Sequence, residues 1–281
     1  KMARSLISIQ NLSVKYTSKG NDVKAVDNIS LDIEKGEIFG IVGESGSGKS
    51  TIVQAIMRIL PPPGYISDGK IFIDNNNILL ASKKEILGYR WKTISIVMQS
   101  ALNALNPVLS IQDQIKDILE SHTDIDKKNI QERIKELMSL VEIDESHINS
   151  YPHQLSGGMK QRVVMAIALA IMPPIIIMDE PTTALDVIVE RGIIAKIIEL
   201  RKKLNLTILF ITHDLNLLLE FADRLAIMKN GKIIEVDQTK NIRNGGSHVY
   251  TRELITSLPS ASGPRQDGLL SYPKTIEFKK T

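Results

Sequence analysis

The alternation of apolar and polar positions predicts β-strands in the first part of the chain. Leu6 to Tyr16 and Ile29 to Ile33 alternate Val or Ile with polar residues, as half-buried strands do. Lys70 to Ile73 follows an Asp-Gly pair, which is a turn signal. We therefore expect these segments to pair as an antiparallel sheet.

A glycine-rich loop then separates a predicted buried strand from a predicted helix. The apolar run Glu37 to Val42 stops at this loop. Beyond it, Ser50 to Leu60 has helical spacing and ends at three consecutive prolines, which cannot continue a helix. This order of strand, loop and helix places the glycine-rich loop at the carboxyl end of the predicted strand.

The middle of the chain, roughly Ile111 to Ala170, is predicted to be mainly helical. Apolar residues recur there at three to four positions, as a buried helix face requires. The residues of that face are Ile130, Ile134, Leu137 and Val141.

A second α/β part follows the helical middle. It contains the apolar run Ile175 to Met178, the helical pattern Val187 to Leu204 and the apolar run Thr207 to Ile211. Asn230-Gly231 joins Leu225–Met228 to Lys232–Val236 and is typical of a β-hairpin. After about residue 237 the pattern weakens, and we expect an extended appendage.

Strands that alternate with helices around a buried apolar strand predict an α/β fold with a parallel sheet. The early strands would form an antiparallel side sheet, and residues of about 100–165 an inserted helical subdomain. We expect a main domain at 1–237 and a C-terminal extension at 238–281.

Composition narrows the possible chemistry. The 281 residues are 43% apolar and 24% charged, with a net charge of +3, so we expect a sizeable core and no nucleic-acid partner. The absence of cysteine excludes disulfides, thiolate metal sites and cysteine-ligated iron–sulfur clusters. The longest uncharged stretch, Val163 to Met178, is broken by two prolines and is shorter than the ~20 residues of a membrane-spanning helix.

The glycine-rich loop matches G-x-x-x-x-G-K-[ST], a phosphate-binding motif. Its glycines let backbone N–H groups turn toward phosphate oxygens, and the following helix adds the positive end of its dipole. Lys49 would reach the β- and γ-phosphates, and the Ser50 hydroxyl would bind Mg²⁺. The residues expected to hold the nucleotide here are Gly43, Glu44, Ser45, Gly46, Ser47, Gly48, Lys49, Ser50 and Thr51.

Two acidic residues follow the buried run Ile175 to Met178. Asp179 is the first polar side chain at the carboxyl end of that strand, where α/β sheets bind ligands, and we expect it to hold Mg²⁺. Glu180 is a candidate base for the water that attacks the γ-phosphate. In isolation, such a pair is more often a helix cap and a solvated charge.

His213 follows the apolar run Thr207 to Ile211. A lone histidine at a strand end is usually structural. This strand, however, is expected beside the Mg²⁺ strand, so His213 would be placed to donate to the γ-phosphate.

These pieces predict a P-loop nucleoside triphosphatase, and a further motif narrows the class. The segment Leu155-Ser-Gly-Gly-Met-Lys-Gln-Arg162 resembles the signature of ATP-binding-cassette ATPases. By itself it is also an N-capped helix that begins at Ser156. A helix cap alone does not explain why the signature, the Asp-Glu pair and the histidine occur in the family's order. The resemblance covers nearly the whole chain.

The resemblance implies roles for further residues. Tyr16 corresponds to the aromatic that stacks on adenine, and Gln99 to the glutamine that contacts Mg²⁺ or water and senses the transporter. Asp186 lies in the loop that communicates across a dimer, and His213 matches the switch histidine. In this family two cassettes enclose two ATP molecules, so Ser156, Gly157 and Gly158 would serve the nucleotide of the opposite subunit.

Narrower matches are similar to one branch, the ATPases of oligopeptide and dipeptide importers, and to the first ATPase of such a pair. They are the segment 100–109, Tyr151-Pro-His-Gln154, Asp179 to Val187 and the C-terminal stretch His248 to Pro259. The branch implies ATP and Mg²⁺, a related second ATPase, two transmembrane permease subunits and an extracytoplasmic binding protein. It also implies a peripheral position on the cytoplasmic face of the membrane, with segment 100–109 against a membrane subunit.

One departure and several alternatives accompany this resemblance. Many members of the branch hold an iron–sulfur cluster with cysteines in the extension, and this chain has none. The branch also includes importers of nickel and of oligosaccharides. The alternative of another class is a soluble ATPase such as a cluster-assembly scaffold, and an exporter cassette is a second alternative.

Overall fold

The computed structural model describes residues 5–18, 21–98, 104–183 and 185–258, without the side chain of Ser18. Among them the strands are β1 Ser5–Ser18, β2 Asn21–Glu34, β3 Ile38–Gly43, β4 Gly64–Ile73, β5 Asn76–Asn77, β6 Ile94–Val97, β7 Ile175–Asp179, β8 Thr207–Thr212, β9 Arg224–Lys229 and β10 Lys232–Gln238. The helices are α1 Lys49–Met57, α2 Lys83–Lys92, α3 Ile111–His122, α4 Lys127–Leu140, α5 Gly157–Ala168, α6 Val187–Leu204, α7 Leu215–Phe221, α8 Thr239–Arg243 and α9 Val249–Ser257. Short 3₁₀ turns lie at Glu145–His147 and Pro152–Gln154.

The larger sheet has six strands in the order β10-β9-β3-β8-β7-β6. Strands β9, β3, β8, β7 and β6 run parallel, and only the hairpin partner β10 is antiparallel. The predicted parallel α/β core is confirmed. Because β3, β8 and β7 are neighbours, their carboxyl ends meet at one edge.

The central strands are buried on both faces, which explains their continuous apolar sequences. Ile175 and Ile177 of β7 pack into one apolar cluster, with α1 and the smaller sheet. Ile176 and Met178 pack into the other, with the helical middle. The sheet therefore separates two cores and holds its strand ends in fixed positions.

The smaller sheet is antiparallel, with the order β2-β1-β4-β5, and confirms the predicted side sheet. Its strands are longer than the sequence pattern indicated, since β2 begins at Asn21 rather than Ile29. Residues at the start of β2 are exposed, and an exposed strand lacks the apolar alternation that marks a half-buried one.

The described residues from 104 to 168 contain α3, α4 and α5 joined by turns. The predicted face of α4 is buried, and Met138 joins it. Side-chain caps define the helix starts: Ser110 accepts from Asp113 N, and Asp126 from Lys128 N. The domain boundaries near residues 100, 165 and 237 stay predictions.

The expectation of an extended appendage after residue 237 is wrong for the part of it that is described. Helices α8 and α9 follow β10 directly, and Ile242 and Thr251 are buried. These helices are short, so the 3.6-residue periodicity that reveals a helix has too few turns to be recognised. Residues 259–281 lie outside the description.

A tight turn at Gly246 carries the chain into α9. Gly246 has a φ of +59°, and a Cβ there would lie 2.5 Å from Thr251 Cγ2 and 2.9 Å from Glu235 Oε2. We expect Gly246→Ala to lower the free energy of opening of α9 by about 1–2 kcal/mol, since an L residue in this conformation is strained. Amide hydrogen exchange of residues 249–257 measures it.

Gly88 provides the matched control. It lies exposed in α2 with nothing within 4 Å of a Cβ. Gly88→Ala should leave the exchange of α9 unchanged and raise the free energy of unfolding by up to about 1 kcal/mol, because alanine is the better helix former. Equal exchange of α9 in both variants would contradict the role of Gly246.

Candidate functional site

The glycine-rich loop connects the carboxyl end of β3 to the start of α1. Gly48 is the N-cap residue of α1, with a φ of +100°. A Cβ at Gly48 would overlap the carbonyl oxygen of Ala25. Glycine is therefore required at this position by both the backbone angle and the close approach of β2. The first N–H groups of a helix have no carbonyl partner within it, so the start of α1 is suited to bind an anion.

Lys49 is the first residue of α1, at the end of the loop, and is buried. Its Nζ donates hydrogen bonds to the carbonyl oxygens of Gly43 at 2.7 Å and Glu44 at 2.9 Å. Burial lowers the pKa of Lys49, and the charges of Glu180 and Asp179 oppose that shift. The loop thus holds one ammonium group close to two carboxylates.

Asp179 ends β7 and is almost fully buried. It accepts a hydrogen bond from the Ser50 hydroxyl at 3.2 Å. Burial raises the pKa of Asp179; the Ser50 bond opposes this, Glu180 adds to it, and Lys49 opposes it. Because a hydroxyl and a carboxylate are hard oxygen ligands, the pair fits Mg²⁺, which takes few protein ligands and completes its shell with water and phosphate oxygens. Mg²⁺ held there would neutralise charge on the phosphates.

Glu180 has a φ of +48°, an uncommon backbone conformation for a residue other than glycine. Its N–H donates to the Ile211 carbonyl at 2.8 Å, which fixes it beside the end of β8. Glu180 Oε2 accepts from Thr183 Oγ1 at 3.1 Å, and Oε1 lies 3.4 Å from His213 Nδ1. The carboxylate is thereby held beside one hydroxyl and one imidazole.

Lys49, Ser50 and Glu180 border a cleft of roughly 490 Å³ at the strand ends, whereas Asp179 is not among its lining residues. That volume lies within the usual ~300–1,000 Å³ range for ligand sites. Its lining residues are Ala25, Ser45, Gly46, Gly48, Lys49, Ser50, Thr51, Glu180, Thr183 and His213. The predicted phosphate loop, Glu180 and His213 are brought together here.

Ala25 and Thr183 were missed by sequence reasoning. Thr183 stands in the Asp-Glu-Pro-Thr-Thr segment, so its proximity to Glu180 was a usable signal. Ala25 belongs to a strand distant in sequence from the loop, and nothing in its local pattern indicates a site.

Tyr16 is not among the residues that line the cleft. Its hydroxyl donates to Gln54 Oε1 of α1 at 3.2 Å, and its ring packs beside Gly64 at the start of β4. Its predicted stacking on adenine stays a prediction. Gln99, predicted as a ligand and sensor, lies outside the described residues, as does Ala184.

The signature also lies apart from the lining of the cleft. Ser156 caps α5 by accepting from Met159 N at 3.3 Å. A Cβ on Gly158 would lie 2.7 Å from Val189 Cγ1. Asp186 caps α6 by accepting from Val189 N at 2.9 Å. The signature and the start of α6 thus form one surface on which Ser156 and Asp186 are exposed.

The phosphate loop, the buried Asp179 and the parallel sheet define a P-loop nucleoside triphosphatase. The family model described as "ABC transporter" matches residues 26–183. The chain is 39% identical over 273 residues to the oligopeptide transport ATP-binding protein OppD of Bacillus subtilis, covering 96% of this chain and 76% of that protein. It is 42% identical over 257 residues to the dipeptide transport ATP-binding protein DppD of Bacillus subtilis, covering 90% and 77%.

Solved structures agree with these sequence relatives. A dimeric post-hydrolysis state of the ATP-binding cassette MJ0796, bound to ADP and Pi, matches with a TM-score of 0.74 and 30% identity, over 83% of this chain and 98% of that chain. CbiO1 from Clostridium perfringens, part of the ABC transporter complex cbiONQ, matches with a TM-score of 0.75 and 28% identity, over 91% and 96%.

The chain belongs to the ABC transporter family, in its branch of oligopeptide and dipeptide transport ATP-binding proteins. It is an ATPase, as the sequence predicted. Within the part of the chain that is described, no helix has both the length and the apolar character needed to cross a membrane.

The geometry at Glu180 predicts that a variant at this position binds ATP but hydrolyses it slowly. Glu180→Gln keeps the size of the side chain but removes its charge, so we expect at least a ~100-fold loss in kcat with ATP still bound. Steady-state ATPase assays and equilibrium binding of MgATP measure the two effects.

Glu220→Gln is the matched control, because Glu220 is an exposed glutamate on α7 outside the cleft. Its turnover should equal that of the wild type. Near-normal turnover of Glu180→Gln would remove Glu180 from the hydrolytic role.

Proposed function

We propose that this chain is the ATPase subunit that drives import of dipeptides or oligopeptides through a membrane transporter. The observation that carries the proposal is the cleft lined by the phosphate loop, Glu180 and His213, with Asp179 bonded to Ser50 beside it, in a chain whose relatives are named for peptide transport. The similarity extends over 90% or more of this chain, including the residues beyond the family model.

The nucleotide site is proposed to be completed by a second cassette. Support comes from the exposed signature: Ser156 and Gly157 face outward, and beside them Val187 and Ile188 expose apolar side chains at the start of α6. Such exposed apolar residues favour contact with another protein. In the closed pair, Ser156 to Gly158 would hold the triphosphate of the opposite subunit, with Asp186 at the junction.

Hydrolysis is proposed to follow from positioning and charge neutralisation. Lys49 and the loop N–H groups would bind the phosphates, while Ser50, Asp179 and Gln99 would hold Mg²⁺. Glu180 orients the water, and His213 donates toward the γ-phosphate. Tyr16 carries the adenine contact. Closure of the pair would then move the membrane subunits, and hydrolysis would release them.

The proposed assembly contains a related second ATPase, two permease subunits and an extracytoplasmic binding protein, with this chain peripheral on the cytoplasmic face. A heterodimer is preferred, because the narrower motifs resemble the first ATPase of a pair. Within segment 100–109, Leu105 is buried whereas Val108 is 75% and Leu109 38% exposed. These two side chains are suited to contact a membrane subunit.

The direct test is affinity purification of the tagged full chain from native membranes, with mass spectrometry of proteins and bound ligands. Two multi-span proteins, a second ATPase and a peptide-loaded binding protein would support the proposal. A binding protein loaded with oligosaccharide or nickel would refute the peptide substrate. Recovery of soluble partners only, with the chain absent from the membrane fraction, would overturn the transporter role.

The exposed side chains of segment 100–109 generate a prediction. We expect the pair Val108→Asp and Leu109→Asp to reduce peptide uptake at least tenfold, because a desolvated charge opposes an apolar interface. MgATP binding by the full chain should remain within twofold of the wild type. Uptake of labelled peptide into reconstituted vesicles measures the first quantity.

Leu80→Asp is the control, since Leu80 is 83% exposed and lies outside this segment. It should support normal uptake. If Val108→Asp with Leu109→Asp transports normally, this segment does not contact the membrane subunits.

A further inference from the structure

The last described helix touches the phosphate loop. The Tyr250 hydroxyl of α9 donates a hydrogen bond to Glu44 Oε1 at 2.8 Å, although the two residues are 206 positions apart. On the other side, Lys229 Nζ lies 3.8 Å from the centroid of the Tyr250 ring. A cation at this distance from an aromatic ring is attracted to it, so the tyrosine is held between β9 and the loop.

The helix that carries Tyr250 is anchored by Glu235 of β10. Glu235 accepts hydrogen bonds from the N–H groups of Ser247 at 2.6 Å and His248 at 3.0 Å, and from the hydroxyl of Thr251. Thr251 is fully buried. Burial opposes ionisation of Glu235, but the bonds from Thr251, Ser247 and His248 hold its pKa below the ordinary value. Several contacts of α9 therefore fix the position of Tyr250, in addition to its own hydrogen bond to Glu44.

The Tyr250 hydroxyl is a permanent donor at physiological pH. Burial, the hydrogen bond to Glu44 and the charges of Glu44 and Glu253 raise the pKa of Tyr250 to about 12. The phenol therefore stays protonated and donates a hydrogen bond to Glu44.

Glu44 links this contact to the nucleotide site through its backbone. Its carbonyl oxygen accepts from Lys49 Nζ at 2.9 Å and from Ser47 N at 3.1 Å. The side chain of Glu44 is an anion in a loop that receives a triphosphate. The Tyr250 hydroxyl holds that side chain against α9, and it also restrains the residue whose carbonyl orients Lys49.

We propose that Tyr250 is a positioning residue of the nucleotide site, acting through Glu44 to hold the phosphate loop in its ATP-binding geometry. The C-terminal extension, which carries Tyr250, then contributes to nucleotide binding by the ATPase. This inference rests on the nucleotide binding of the proposed function and goes beyond it.

The test is Tyr250→Phe, which removes the hydroxyl and keeps the ring beneath Lys229. We expect a three- to tenfold rise in the dissociation constant of MgATP for the full chain, which is less than the full effect of losing one hydrogen bond to a charged group because Tyr250 acts on the site only through Glu44. In the assembled transporter, KM for ATP should rise by a similar factor with kcat within twofold. Isothermal titration calorimetry and steady-state kinetics measure these values.

The chain offers a matched control in Tyr65. Its hydroxyl donates to Asp22 Oδ2 at 2.7 Å, so it makes the same tyrosine–carboxylate contact on the smaller sheet. Tyr65→Phe should leave MgATP affinity unchanged. A double-mutant cycle with Glu44→Ala tests the route, because Tyr250→Phe should have less than a twofold effect once its acceptor is gone.

The possible results distinguish failure of the proposed function from failure of the positioning role of Tyr250. A wild-type chain that does not bind MgATP refutes the proposed function itself. If the wild type binds and Tyr250→Phe binds equally well, even with a lowered Tm, the positioning role is wrong and the contact is structural only. An undiminished effect of Tyr250→Phe in the Glu44→Ala background also overturns it.

Discussion

The structure depends on one constraint: neighbouring parallel strands end at the same edge of the sheet. Strands β3, β8 and β7 are adjacent, and their carboxyl ends carry the phosphate loop, His213 and the acidic pair. Apolar side chains bury both faces of these strands, so the strand ends cannot shift independently. Lys49 is thereby held close enough to Asp179 and Glu180 for their charges to act on it.

In the proposed pair of cassettes, this arrangement would form one of the two surfaces that enclose ATP. The cleft is lined by the phosphate loop, Glu180, Thr183 and His213, with Ala25 at its border. The signature is packed against the start of α6 and faces outward. A second cassette would bring its own signature to this cleft, and the link between hydrolysis and membrane movement would arise from that union.

Much of this site could be predicted from sequence, because its chemistry is local. The loop, Asp179, Glu180 and His213 each follow a buried apolar run, and the apolar pattern placed those runs correctly. The contact of Tyr250 with Glu44 could not be predicted, since it depends on the path of the chain after β10. The short helices there gave too little periodicity, and the extension was wrongly expected to be extended. Ala25 likewise contributes by a long-range approach to Gly48.

The account is tested most directly by hydrogen exchange of the full chain with and without MgATP. It predicts that amides of residues 44–51 gain protection in the isolated chain, because their N–H groups would bind phosphate. Amides of residues 156–159 should gain protection only when the second cassette is present. Absence of protection at 44–51 would contradict the nucleotide site. Protection of 156–159 in a chain shown by sedimentation to be monomeric would contradict its completion by a partner.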